Sequence, residues 1–129
     1  MTNKAKVGVI GAGWWATTNH LPILKKREDI ELTSVCRLGK KELNKVADEF
    51  EFSHSTENYH ELLENDLDGV IIASPHTKHY EHALAAIKKG FNVMCEKPLT
   101  TNSTEAKTLI NEAKQNDVEI LIPYGWHYV

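Results

Sequence analysis

Two spacings of apolar residues alternate along this 129-residue chain. Short, dense apolar runs over residues 7–10, 30–36, 67–73 and 91–95, with shorter ones at 52–55 and 119–122, read as strands. The runs at 67–73 (LDGVIIA) and 91–95 (FNVMC) hardly alternate, as expected of strands covered by helices on both faces. Between them the apolar positions recur three and four apart. Residues 14–27 read as a first helix, with Pro22 kinking it or ending it early. Leu43, Val46, Ala47 and Phe50 give a helix over 40–50, and Tyr59, Leu62 and Leu63 a helical turn over 58–64. Ala83, Ala86 and Ile87 mark one over 76–89 with Gly90 as its C-terminal cap, and Ala106, Leu109, Ile110 and Ala113 one opening near Asn102-Ser103. Strand and helix alternate throughout, so the expected fold class is α/β: a doubly wound parallel sheet of about six strands in three layers, forming one domain over 1–129.

The first strand ends in GAGWWA, where Gly11, Gly13 and Ala16 fit the spacing Gly-x-Gly-x-x-Gly/Ala. Gly11 permits a tight turn, and Gly13, without a Cβ, lets a pyrophosphate approach the unpaired N–H groups of a helix start. This is the phosphate turn of a dinucleotide-binding Rossmann fold; the motif alone also fits an ordinary turn between strand and helix. Trp15 reads as core packing, and Trp14 either packs or covers a bound cofactor. His20 reads as a satisfied helix histidine. Arg37 directly follows the second strand, at the place that faces the adenosine ribose. An acid there would bind the 2′-hydroxyl of NAD, so Arg37, with Lys40 and Lys41 behind it, points to NADP rather than NAD. The alternative is a solvated loop arginine.

Composition adds mostly exclusions. Fifteen Lys and Arg against 18 Asp and Glu give a net charge of −3, without the basic footprint of a nucleic-acid binder or a membrane anchor. Residues 1–6 are polar and lead straight into a strand, so the expected location is cytoplasmic. The two cysteines, Cys36 and Cys95, end strand-like runs and read as reduced, buried thiols. His76, His79 and His82 fall three apart; with no further ligand at matching spacing they read as a cluster lining a pocket, and no metal is expected.

GAGWWA after the first strand, IIASPHTKH after the fourth and MCEKPL after the fifth together resemble the Gfo/Idh/MocA family, named from glucose-fructose oxidoreductase and inositol dehydrogenase. The resemblance spans the whole chain but only the N-terminal half of a family member. It implies a C-terminal substrate domain that is absent from this chain. It assigns Gly11, Gly13 and the backbone around Trp14 and Trp15 to the pyrophosphate, and Arg37 to the ribose. Ser74, Pro75, His76 and His79 match the loop beside the cofactor. Glu96 and Lys97 match the motif that meets the nicotinamide ribose and the substrate, with Lys97 as catalytic lysine. Family members often carry an acid in place of Arg37 and Asn in place of His76, and a Gly-x-Asn-x-Arg type segment where this chain has Tyr124-Gly125-Trp126-His127. The implied function is the cofactor domain of an NADP-dependent oxidoreductase that moves hydride to or from a sugar or cyclic polyol, within a homo-oligomeric full-length protein. The chain by itself is expected to bind NADP(H) without turnover. The alternative is a non-catalytic NADP(H) sensor.

Overall fold

A computed structural model describes residues 3–125. Six parallel strands, β1 (Ala5–Ile10), β2 (Ile30–Cys36), β3 (His54–Thr56), β4 (Gly69–Ile72), β5 (Asn92–Cys95) and β6 (Ile120–Leu121), lie in the order β3-β2-β1-β4-β5-β6. The order reverses between β1 and β4, the place where the connections from the two halves diverge and leave a crevice. β1 pairs with β2 on one side and with β4 on the other, and Ile10 sits level with both Cys36 and Ile72.

Neighbouring residues of each inner strand face opposite layers, which gives two cores. Val9, Val35 and Ile71 pack with Leu21, Leu43, Val46 and Phe50 from α1 (Leu21–Lys25) and α2 (Lys40–Phe50). Ile10, Cys36, Ile72 and Cys95 pack with Leu62, Ala86, Ile87 and Leu109 from α3 (Tyr59–Leu62), α4 (His79–Lys88) and α5 (Ser103–Gln115). The near-continuous apolar run in β4 is thus explained by burial on both faces.

Where the chain departs from the expected bounds, local chemistry accounts for it. Pro22 neither breaks nor ends the first helix. A π-helical turn over Ala16–His20 runs straight into α1, and the Leu21 N–H donates to the Ala16 carbonyl five residues back. Proline lacks an N–H and its ring crowds the carbonyl four residues earlier; the widened turn accommodates both. The helix over 76–89 opens instead as a 3-10 turn, His76–Lys78, before α4, and Gly90 follows it with φ +85°. Asn102 caps α5 by accepting the Glu105 N–H at 2.9 Å. Ile110, expected inside, is exposed, because the contacts of α5 fall on Leu109 and Ala113.

Candidate functional site

Hydrogen bonds that continue the sheet one step past its strands position the crevice. The N–H groups of Gly11 and Ala12 both donate to the Cys36 carbonyl (2.8 and 3.3 Å), Ala73 N–H donates to Ile10 (2.9 Å), and Glu96 N–H donates to Ile72 (2.9 Å). Four loops are therefore held level at the carboxyl ends of β1, β2, β4 and β5. They enclose a cavity of about 910 Å³ whose walls include Gly11, Gly13, Trp14, Arg37, Ser74 and Lys97. That is ample for a cofactor-sized ligand. Trp15, Pro75, His76, His79 and Glu96 border it too, so the structure brings together every site residue the sequence nominates.

The two glycines do different work. Gly11 has φ +83°, and a Cβ on it would lie 2.3 Å from the Ser74 backbone nitrogen and Cα. Its bareness lets β1 and β4 close on one another. A Cβ on Gly13 would meet nothing within 4 Å. Beyond Gly13 the Thr17 N–H closes the first helical turn onto the Gly13 carbonyl at 3.1 Å. The N–H groups of Trp14, Trp15 and Ala16 therefore precede the ladder of intrahelical bonds, as anion-binding donors do. The open space at Gly13 and these donors fit a pyrophosphate.

Trp15 is not core. It is 44% exposed, and its indole N–H donates to Glu96 Oε1 at 2.7 Å. His20 Nε2 meets the same oxygen at 2.6 Å, and Glu96 Oε2 accepts the Lys97 backbone N–H at 3.2 Å. The buried Glu96 carboxylate thus fastens the first helix to the Lys97 loop. A carboxylate only accepts, so both ring partners donate to it. Lys97 itself is exposed, and the Lys97–Pro98 peptide is cis. The expectation that His20 is a satisfied helix histidine holds, though its partner lies 76 positions away.

His79 requires a correction. It is completely buried, with Nδ1 2.7 Å from the Pro98 carbonyl and Nε2 2.8 Å from the Ser74 carbonyl. Both ring nitrogens are occupied by backbone, so His79 ties the β4 and β5 loops together beneath the cavity wall and offers a ligand no polar atom. His76 is exposed on the rim. Ser74 Oγ lies 2.8 Å from His82 Nδ1. Burial pushes the pKa of His82 below its ordinary value, against the raising charge of Glu81, which leaves a neutral ring able to accept the hydroxyl.

Arg37 folds back on the glycine turn, donating from Nη1 to the Ala12 carbonyl at 3.2 Å and from Nε to its neighbour Leu38 at 3.3 Å. These bonds engage Nε and Nη1 while the residue borders the cavity at the end of β2. Glu57 and Tyr59, which the sequence does not nominate, also border the cavity, as does His82 of the expected histidine cluster. Tyr59 and His82 pack with ring centroids 4.5 Å apart and planes tilted by 57°, a contact between separate helices that no local pattern signals. The expectation for Tyr124-Gly125-Trp126-His127 falls in part on residues outside those described, from Trp126 on.

Both thiols are free and buried. Burial, and then the charges of Glu57 and Glu61, push Cys36 up to about 11; burial, and then Glu96, push Cys95 up to about 12. In the unfolded chain each thiol ionises from its ordinary value of 9.0, so above that pH the unfolded state sheds protons that the folded state keeps. Stability due to the thiols is constant below pH 9 and should fall as pH rises toward about 11 and about 12, by up to about 1.4 kcal/mol per pH unit for each thiol. Urea melts on the chain and on its Cys36→Ala/Cys95→Ala variant should diverge in slope against pH only in that alkaline window.

Residues 5–124 match the model of the oxidoreductase family, NAD-binding Rossmann fold, designated GFO_IDH_MocA. The chain is 31% identical to a scyllo-inositol 2-dehydrogenase (NADP(+)) of Bacillus subtilis over 90% of its own length and 35% of that protein's. It is 30% identical to a D-glucoside 3-dehydrogenase of Escherichia coli over 98% of its length and 36% of that protein's. Among solved structures it is similar to a 3-ketoreductase from Actinomadura kijaniata in complex with NADP and TDP-benzene, with a TM-score of 0.87 and 28% identity, over 97% of this chain and 41% of the other. The chain spans about a third of the length of the curated relatives it matches.

Proposed function

Because the chain belongs to the Gfo/Idh/MocA family of oxidoreductases, with an NAD-binding Rossmann fold, we propose that it is the cofactor-holding part of an NADP-dependent enzyme acting on a carbinol or carbonyl carbon of a sugar or cyclic polyol. The observation that carries this is the meeting of the open glycine turn, Arg37 and the Glu96-Lys97-Pro98 loop around one cavity where the strand order reverses. The relatives' names supply the substrate class and the cofactor by analogy.

A bound nicotinamide supplies the hydride chemistry. The chain's own residues hold and orient. The N–H groups of Trp14, Trp15 and Ala16 take the pyrophosphate, and Arg37 takes the adenosine 2′-phosphate. Ser74 and Pro75 wall the ribose side, and His76 borders the opening. Lys97 Nζ, on an exposed loop whose backbone is fixed by Glu96, donates a hydrogen bond to the reacting oxygen of the substrate and exchanges its proton. The Trp15 and His20 bonds to Glu96 keep that loop in place. The relatives' greater length fits a second domain that walls the substrate, which we propose for the whole protein.

Calorimetric titration with NADPH and NADH tests the cofactor. A charge-assisted contact from Arg37 to a 2′-phosphate should contribute roughly 1.5 to 3 kcal/mol, or about ten- to a hundredfold in affinity. NADPH should bind more tightly by that factor, and Arg37→Asp should reverse the order. Equal affinities in the unaltered chain would remove the NADP reading.

A further inference from the structure

A carboxylate reaches the same side of the cavity as Arg37. Glu57 lies between β3 and α3, on backbone fixed by the Asn58 N–H bond to Thr56 Oγ1 (3.0 Å) and by the Asn58 side chain, which accepts the His60 N–H (3.0 Å). From there it crosses to the β2 loop, where Glu57 Oε1 accepts the Gly39 N–H at 2.7 Å. Gly39 is the residue before α2, with φ 91° and no side chain to cap the helix. Glu57 therefore supplies from another element the side-chain acceptor that Gly39 cannot provide, in addition to Glu42 in the first turn of α2.

Resting on the NADP reading above, we propose that Glu57 sets cofactor choice: its carboxylate opposes the 2′-phosphate that Arg37 attracts, and so holds the preference for NADP below what Arg37 and the lysines at 40 and 41 would otherwise give. Two effects act in one direction. The carboxylate occupies the Gly39 N–H, the backbone donor next to Leu38 on the ribose-facing loop. It also places negative charge beside a phosphate that carries up to two charges of its own. Arg37, Leu38 and Glu57 border the cavity together. The charge of Glu57 is felt at the end of β2, since it helps to push the neighbouring Cys36 thiol up. An unmodified ribose brings no such charge, so NAD meets no repulsion.

Glu57→Gln separates charge from shape, because the amide oxygen still accepts the Gly39 N–H. Calorimetry on the 129-residue chain with NADPH and NADH, at low and at high salt, reads the ratio of the two affinities. The variant should raise the NADPH-to-NADH ratio about tenfold at low salt, and the gain should shrink as salt screens the charges. Glu57→Ala, which also frees the Gly39 N–H, should raise the ratio at least as far; a melting curve for each variant identifies any loss of folding. If the unaltered chain prefers NADPH and neither variant raises the ratio, the role of Glu57 is overturned while the NADP reading stands. If the unaltered chain binds both equally and Glu57→Gln raises the ratio, Glu57 is supported and the NADP reading of the native chain falls. If the chain binds neither nucleotide, both fall.

Discussion

Replacing Gly11 by alanine should cost about 3 to 5 kcal/mol of stability, whereas the same change at Gly13 should leave stability within about 0.5 kcal/mol and remove dinucleotide binding. The difference follows from where each missing side chain would go. At Gly11 a methyl group adds the strain of a positive φ, +83°, to a 2.3 Å approach to the Ser74 backbone. Ser74 lies two residues past β4 with its carbonyl held by His79 Nε2, and such backbone cannot step aside as a side-chain tip can. The loss is a large share of the roughly 5 to 15 kcal/mol that keeps a domain folded. It should lower the melting temperature by roughly 15 °C. At Gly13 the new methyl meets no protein atom within 4 Å, so the chain folds as before. The methyl then fills the space a pyrophosphate needs. Thermal melts with and without millimolar NADPH read both effects: Gly11→Ala should melt early, and Gly13→Ala should melt normally without an NADPH shift. A Gly11→Ala chain of normal stability would contradict the packing described for β1 and β4.

The second large effect concerns Lys97 in the complete enzyme proposed above. Lys97→Met should lower turnover about a hundredfold or more while NADPH affinity stays within a few fold, since a group acting on the reacting oxygen contributes mainly in the transition state. Stability should hardly change. Lys97 is exposed, and its fixed contact is a backbone N–H to Glu96 that methionine retains. Turnover of a polyol and NADPH affinity, measured side by side, check the split. Near-normal turnover in the variant would take the proton-transfer role from Lys97 and leave the loop a structural one.

Much of this protein was legible along the chain, because the signals concerned are local. Apolar runs and three-and-four spacing placed every strand and helix, and β2 and α2 matched the expected bounds at both ends, because a side-chain period is a property of a few consecutive residues. The glycine spacing after β1, the cation after β2 and MCEKPL after β5 were readable for the same reason, and strand-helix alternation alone implied that such loops meet at one edge of the sheet. What each side chain does at that edge was settled only by the tertiary structure. Trp15 looked like core and instead holds Glu96 across 81 positions. His79 looked like a ligand contact and is buried between two carbonyls. Gly11 looked like a turn residue and is equally a packing residue against Ser74. Glu57 carried no signal at all until β3 came to lie beside β2 and brought it to Gly39. Apart from the His79–Ser74 bond, which spans five positions, these contacts join residues from 18 to 81 positions apart, and no period within an element encodes them. The order β3-β2-β1-β4-β5-β6 creates them, by bringing loops distant in sequence within hydrogen-bonding reach of one another.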